Sequence, residues 1–120
     1  AVPVDHVKAA ALYRKAADQG HADAQYHLAV SYDDGEGVAQ DKKQAVHWYT
    51  KAAEQGDADA QFNIGLRFET GRGARQDDNQ AVVWYQKAAA QNHQRAIAHL
   101  GYMYEKGYGV NKREFHISTF

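Results

Sequence analysis

Residues 24–56 read AQYHLAVSYDDGEGVAQDKKQAVHWYTKAAEQG, and this stretch decides the fold. Its first half has an apolar stripe with the spacing of an α-helix, carried by Ala24, Leu28, Ala29 and Tyr32. Its second half has another such stripe, carried by Ala45, Trp48, Tyr49, Ala52 and Ala53. Between them Gly35 and Gly37 interrupt the pattern, since glycine adopts the positive φ angles of a tight turn. The stretch therefore predicts two helices joined by a glycine turn.

The same pattern recurs at an offset of 36 residues on both sides, with no insertion between residues 9 and 111. Positions identical in all three copies include Ala9/Ala45/Ala81, Tyr13/Tyr49/Tyr85, Gly35/Gly71/Gly107 and Gly37/Gly73/Gly109. A single helix pair cannot bury its own apolar face, so repeated pairs stack on one another around a continuous core. The repeat predicts an all-α solenoid of stacked antiparallel helix pairs with a 36-residue period.

Six helices are expected, at about 5–18, 22–34, 41–54, 58–70, 77–90 and 94–106. Asp41 and Asp77 stand where a carboxylate caps a helix N-terminus. Gly20, Gly56 and Asn92 follow the second helix of each pair, where a left-handed residue is expected.

The chain closely resembles the Sel-1-like repeat (SLR), a branch of the tetratricopeptide (TPR) superfamily, in its Gly35-x-Gly37-Val38 and Trp48-Tyr49-x-Lys51-Ala52-Ala53 elements. The resemblance covers about residues 5–110 and implies a right-handed α/α superhelix. It divides residues 1–110 into an orphan second helix at 5–18, complete repeats at 21–56 and 57–92, and a half repeat at 93–110.

The pattern weakens at both ends. Leu12 replaces the tryptophan found at Trp48 and Trp84, the expected core anchors. After Val110 the pattern fails, because Arg113 stands at the position of the capping aspartates. Residues 111–120 are therefore expected to form a divergent C-terminal tail. Cysteine is absent, which places the chain outside the cysteine-rich branch of the family.

By analogy with TPR grooves, the first helix of each repeat lines a concave surface. Once the core stripe is assigned, the predicted contact residues on that face are Tyr26, His27, Val30, Phe62, Asn63, Leu66, Arg95, His99 and Tyr102. The same face includes Asp33 and Glu69. Aromatic residues beside hydrogen-bonding groups suit a groove for a peptide or protein partner. The alternative is that Tyr26 and Phe62 pack against the neighbouring repeat.

Composition argues against other classes of function. Lys plus Arg is 14 and Asp plus Glu is 15, a balance of −1 that does not favour nucleic acid. No apolar run approaches the ~20 residues of a membrane span. The Gly-x-Gly turns follow helices and not strands, which disfavours a phosphate-binding loop. His27 and His99 lie two repeats apart, too far to share a metal ion. We predict a non-enzymatic scaffold or adaptor with no cofactor and no metal.

Two other functions stay open. The helix at 94–106 lacks its family partner helix, so Leu100 and Tyr104 present an apolar surface that a second copy of the chain would cover. The tail, through Phe115, Ile117 and Phe120, is the other candidate for that surface. The chain would alternatively be a regulatory module of a larger toxin-neutralising or signalling protein, roles known in the family. The family occurs in bacterial periplasmic, secreted and cytoplasmic proteins, so the resemblance leaves localisation open.

Overall fold

The computed structural model of the protein describes residues 2–109. These residues form six α-helices of 13 residues each and no strand: α1 (His6–Asp18), α2 (Ala22–Asp34), α3 (Lys42–Glu54), α4 (Ala58–Thr70), α5 (Asp78–Ala90) and α6 (Gln94–Lys106). Every helix begins and ends within one residue of its predicted bounds. The predicted tail, residues 111–120, lies outside the described residues.

Each helix packs mainly against the helices before and after it in the chain. The described residues form an elongated array of 56 × 25 × 24 Å. One core cluster is built around Leu28, Trp48 and Ile64, and a second around Phe62 and Tyr85. The half-buried Phe68 packs against both clusters, so the core continues along the array. The fold is an all-helical repeat solenoid.

The helix ends follow a regular capping scheme. Asp41 and Asp77 are N-caps as predicted, and their carboxylates accept backbone N–H groups of the first turn at 3.1 Å. His21 and His93 cap α2 and α6 in the same way, with Nδ1 accepting a backbone N–H at 3.2 Å. The sequence interpretation did not include these histidines. Each ring acceptor satisfies one of the backbone donors that a helix leaves open at its start.

The chain leaves the second helices through left-handed residues, as predicted. Gly20 and Gly56 have φ angles of +89° and +97°, and Asn92 has +64°. Asparagine tolerates this conformation better than other non-glycine residues, which explains its place in the third copy.

The second glycine of each Gly-x-Gly turn has a packing role beyond its positive φ. A Cβ on Gly73 would overlap the backbone carbonyl of Lys42, the first residue of α3. Gly37 and Gly109 lie in the same way against the starts of α1 and α5. The absence of a side chain therefore lets each turn rest directly on the second helix of the preceding repeat.

Glutamine side chains link neighbouring repeats. Gln55 Nε2 donates to the Gly20 carbonyl oxygen at 2.9 Å and to Gln25 Oε1 at 2.8 Å. Gln91 and Gln61 repeat this arrangement one period further on. Gln25 and Gln61 are buried, and the bonds satisfy side chains that would otherwise be costly to bury.

The two tryptophans differ in depth. Trp48 is buried as predicted, with the Arg14 guanidinium 5.7 Å from its ring. Trp84 packs against the core as predicted but is only half-buried. The residue equivalent to Arg14 in α3 is Thr50, which is too short to cover the ring. Lys87 Nζ instead lies 4.4 Å from the Trp84 ring centroid.

Gly65 and Gly101 occupy equivalent positions of α4 and α6 and offer a matched test of the close packing. A Cβ on Gly65 would lie 2.6 Å from Tyr85 Cε1, whereas one on Gly101 would meet no described atom within 4 Å. We expect Gly65→Ala to destabilise the protein by about 1–3 kcal/mol. Gly101→Ala should stabilise it by about 0.5–1 kcal/mol, because alanine favours a helix more than glycine does. Urea unfolding measures both. Similar effects of the two changes would contradict the packing described.

Candidate functional site

The predicted contact residues all lie on the first helices α2, α4 and α6. Three of them are exposed: His27, Arg95 and Tyr102. Five are half-buried: Tyr26, Val30, Asn63, Leu66 and His99. Phe62 is buried. The surface formed by these residues on α2, α4 and α6 is called the first-helix face below.

Phe62 does not lie free on this face. Its side chain is 1% exposed and contacts the rings of Tyr85, His93 and His99 at centroid distances of 4.9 to 5.7 Å. The Arg95 guanidinium covers the ring at 4.7 Å. The alternative that Phe62 packs against the neighbouring repeat is therefore confirmed. Phe62 lies beneath Arg95 and His99 of α6, whose side chains cover its ring.

Tyr26 is shared between the core and the face. Its ring lies edge-on to Tyr49 at 5.7 Å, and its hydroxyl accepts a hydrogen bond from Asn63 Nδ2 at 3.4 Å. Burial raises the pKa of Tyr26, and the negative charges of Asp59 and Asp57 raise it further. The phenol therefore stays neutral and keeps its hydrogen-bonding proton. Of the predicted contacts, Tyr26 and Asn63 thus form a bonded pair that joins α2 to α4.

Asp33 was also assigned to the open face, and that prediction is wrong. The residue is 6% exposed, and its carboxylate pairs with the Arg67 guanidinium and with Lys42 Nζ at 3.0 Å. Arg72 Nε lies 3.7 Å away, and the Arg67 guanidinium lies over the Tyr49 ring at 5.2 Å. Arg67 comes from the next repeat and reaches the carboxylate across the α2–α4 boundary. The result is a buried charge cluster that locks two repeats together.

Opposing effects set the ionisation of Asp33. Burial alone would raise the pKa of its carboxyl, but the hydrogen bond from Lys42 and the charges of Arg67, Lys42 and Arg72 outweigh it. The pKa is therefore lowered, and the carboxylate is stabilised in the folded protein.

This lowered pKa makes a pH-dependent prediction. A carboxyl whose pKa falls on folding contributes stability above its unfolded pKa, and this stability is lost as pH falls through the folded value. We expect Asp33→Asn to cost about 3 kcal/mol at neutral pH, because Arg67 is left buried without its counter-charge. The loss of stability on acidification below about pH 4 should also be smaller in the variant. Urea unfolding across pH measures both effects.

The matched control is Asp34→Asn, which changes the neighbouring exposed carboxylate. A surface substitution of this kind should shift stability by less than about 0.5 kcal/mol. Equal effects at the two positions would show that the buried cluster is not what stabilises this boundary.

A cavity lies between α4 and α6 on the first-helix face. It has a volume of about 410 Å³ and is lined by Glu69 of α4 and by Ala98, His99 and Tyr102 of α6. We call it the α4–α6 pocket. Tyr102 is 46% exposed and forms an aromatic wall. The sequence analysis placed His99, Tyr102 and Glu69 on this face but did not predict a pocket between α4 and α6.

Two hydrogen bonds fix the polar groups of the α4–α6 pocket. Tyr85 Oη donates to Glu69 Oε1 at 2.6 Å, and His99 Nδ1 donates to the Arg95 carbonyl oxygen at 2.9 Å. Burial raises the pKa of Tyr85, and the bond to Glu69 and its charge raise it further, so Tyr85 remains a donor. Because a carbonyl oxygen only accepts, His99 Nδ1 is the donor in this bond. The pocket therefore offers the Glu69 carboxylate and an aromatic face.

Other kinds of site find little support in residues 2–109. Within this range no three His, Asp or Glu side chains converge as metal ligands would. None of its helices has the length and apolar character needed to cross a membrane.

Comparison with known proteins points to one family. The Sel1 repeat matches residues 1–21, 22–57, 58–93 and 94–112. A protective antigen of uropathogenic Escherichia coli that displays an SLR fold is 42% identical, with a TM-score of 0.89 over 91% of this chain. A Sel1 repeat protein from Oxalobacter formigenes is 40% identical, with a TM-score of 0.88 over 92% of this chain. No curated protein sequence matches the chain.

Cysteine-rich protein B of Helicobacter pylori shares the fold at a TM-score of 0.75 and 24% identity, over 79% of this chain and 71% of its own. The chain spans 23% of the length of the Escherichia coli antigen and 46% of that of the Oxalobacter formigenes protein. Its similarity to those two proteins is therefore to a part of each.

Proposed function

The chain belongs to the Sel1 repeat family, and from this premise we propose that it is a scaffold or adaptor that binds a peptide or extended protein segment on its first-helix face. Sel1 repeat proteins generally mediate protein interactions and are typically not enzymes. The proposal concerns where on this chain the partner binds and what kind of segment it is.

The observation that carries the proposal is the composition of the first-helix face. Tyr102 exposes nearly half of its surface, and Arg95 and His27 are exposed on the same series of helices. Between them lie half-buried apolar and amide side chains, Val30, Asn63 and Leu66. Large aromatic and arginine side chains beside partly buried apolar groups are typical of residues that contribute most to protein binding. With its ring buried, Phe62 supports this surface from below.

The size of the relatives supports a further possibility within the same function. Because the chain spans less than half of two similar proteins, it would serve as the binding module of a longer repeat protein. Its partner would then be held by neighbouring repeats as well.

The test compares two triple variants in affinity capture followed by mass spectrometry. His27→Ala, Asn63→Ala and Arg95→Ala together remove contacts from α2, α4 and α6. We expect this variant to lose a partner that the unchanged protein retains and to stay folded. Its unfolding temperature should fall somewhat, because Asn63 and Arg95 also contact Tyr26 and Phe62. Each lost interface contact typically weakens binding by about 1 kcal/mol or more when it lies at a hot spot.

The control triple is Lys43→Ala, Gln80→Ala and Val83→Ala, which changes exposed residues of the second helices α3 and α5. This variant should retain the partner. A partner that is lost from the control and kept by the first-helix variant would place binding on the opposite side of the solenoid.

A specific observation favours self-association as a second candidate. Ile97 of α6 is 41% exposed, although the equivalent residues Gln25 and Gln61 are buried. Leu12 of α1 is 68% exposed, although the equivalent Trp48 is buried. Within residues 2–109, α6 is a first helix with no second helix after it, and α1 is a second helix with no first helix before it. We propose that α1 of one copy docks on α6 of another and continues the repeat. Leu100 and Tyr104 are less open than predicted, since both are half-buried.

Such a head-to-tail contact is tested by mixing two variants, each blocked at a different end of the molecule. Leu12→Glu blocks one end of the molecule and Ile97→Glu blocks the other, so each variant alone should be monomeric by sedimentation. An equimolar mixture should form dimers and nothing larger, because one unaltered pair of ends remains. Strictly monomeric unchanged protein at its highest soluble concentration would refute self-association. If the unchanged protein is oligomeric but the mixture of the two variants stays monomeric, the head-to-tail arrangement is refuted.

A further inference from the structure

The same repeat position carries a carboxylate in two successive repeats, with different surroundings. Asp33 in α2 and Glu69 in α4 are 36 residues apart and therefore equivalent. Asp33 is buried and neutralised by Arg67, which reaches it from the next first helix. The residue equivalent to Arg67 in α6 is Met103, which carries no charge. Among the described residues, Glu69 consequently forms no ion pair with an arginine.

An opening lies beside this second carboxylate. Ala98 of α6 is exposed and lines the α4–α6 pocket next to Glu69. Phe62 packs against Tyr85 and His99 at the same boundary and does not line the pocket. One repeat boundary thus holds an internal ion pair, and the other has a carboxylate at the wall of a pocket.

The groups around this opening complement a cation. Among the described residues, Glu69 accepts through Oε1 from Tyr85, and no residue donates to its Oε2. The Tyr102 ring lines the same opening and offers an aromatic face to a planar guanidinium. Within residues 2–109, no lysine or arginine lines the pocket. A guanidinium has only donors and binds carboxylates through a fork of N–H groups, which matches this set.

From this comparison we propose that the α4–α6 pocket binds an arginine side chain of the partner segment, which takes the place that Arg67 occupies beside Asp33. The proposal rests on the binding proposed for the first-helix face. Guanidinium groups already lie over aromatic rings in this array, since Arg67 covers Tyr49 and Arg95 covers Phe62. The partner is therefore a segment with at least one accessible arginine.

The direct test is a titration with Nα-acetyl-arginine amide followed by the backbone amide signals of the protein in ¹H–¹⁵N spectra. Signals of Glu69, His99 and Tyr102 should shift with a single binding curve. The citrulline analogue has the same shape without the charge and should bind at least about tenfold more weakly, because charge-assisted hydrogen bonds are roughly twice as strong as neutral ones. The lysine analogue should also bind more weakly, since it lacks the planar fork.

Two variants locate the binding. Glu69→Gln keeps an acceptor for Tyr85 and removes the charge, and it should weaken arginine binding about tenfold. The control Glu54→Gln makes the same change at an exposed residue of α3 and should bind as the unchanged protein does. Met103→Arg rebuilds the internal ion pair and should abolish binding of the probe. If that variant fails to fold, Glu69→Gln alone decides.

Opposite results overturn the proposal. Equal binding of the arginine and citrulline analogues, or equal binding by Glu69→Gln and the control, would exclude a guanidinium site at Glu69. Equal binding of the lysine analogue would exclude the preference for arginine. A captured partner that depends on His27, Asn63 and Arg95 but not on Glu69 would refute the pocket and leave the first-helix face standing. If probe binding depends on Glu69 while partner capture does not depend on His27, Asn63 and Arg95, the pocket is supported and the proposed function is refuted.

Discussion

The structure depends on one constraint: a helix pair buries its apolar face only if the next pair lies close enough to cover it. Small residues make that approach possible between helices and at the turns. Gly65 lets the Tyr85 ring lie directly on α4, and Gly37, Gly73 and Gly109 let each turn rest on a helix start. The buried Gln25 and Gln61 donate to the backbone carbonyls of Ala17 and Ala53 in the helix before them. Because the turn and glutamine contacts recur from repeat to repeat, the array continues in register, and surface side chains can vary without changing it.

Those variations determine which surfaces are available for binding. Where the repeat is regular, its side chains bond to one another within the array, as the Gln25–Gln55 and Gln61–Gln91 pairs do. Where one copy departs from the others, a side chain gains or lacks a partner that its equivalents have. Arg67 has no counterpart in the other repeats, and it converts Asp33 from a surface carboxylate into part of the core. Met103 stands where Arg67 stands in the preceding repeat, so Glu69 lacks the internal arginine that Asp33 has, and it borders a cavity.

The sequence predicted the features that repeat. All six helices and the left-handed residues after the second helices follow from local periodicity and from glycine, and no long-range information is needed. The burial of Phe62 could not be derived in the same way, because a helical stripe does not say whether its edge faces a groove or a neighbouring ring. The Asp33–Arg67 pair joins residues of two repeats and appears in no other copy, so periodicity hides it. The capping histidines were missed because histidine is not among the residues that usually cap a helix N-terminus. Comparing the charges of equivalent residues would have been the signal for the ion pair.

The carboxylates of Asp33 and Glu69 also differ in the free energy needed to remove them from water. Burying Asp33 with Arg67 requires removing both charges from water, and the attraction between them offsets this only while both partners are present. Glu69 is half-buried, holds one hydrogen bond from Tyr85 and borders an open cavity. Its desolvation is therefore incomplete in the free protein. A neutral side chain that entered this pocket would cover the carboxylate without compensating its charge, whereas a guanidinium would do both. At the proposed arginine site, discrimination would arise as much from the penalty for the wrong occupant as from attraction to the right one. The departure from the repeat that leaves Glu69 without an internal arginine would then be the feature that gives this face chemical selectivity.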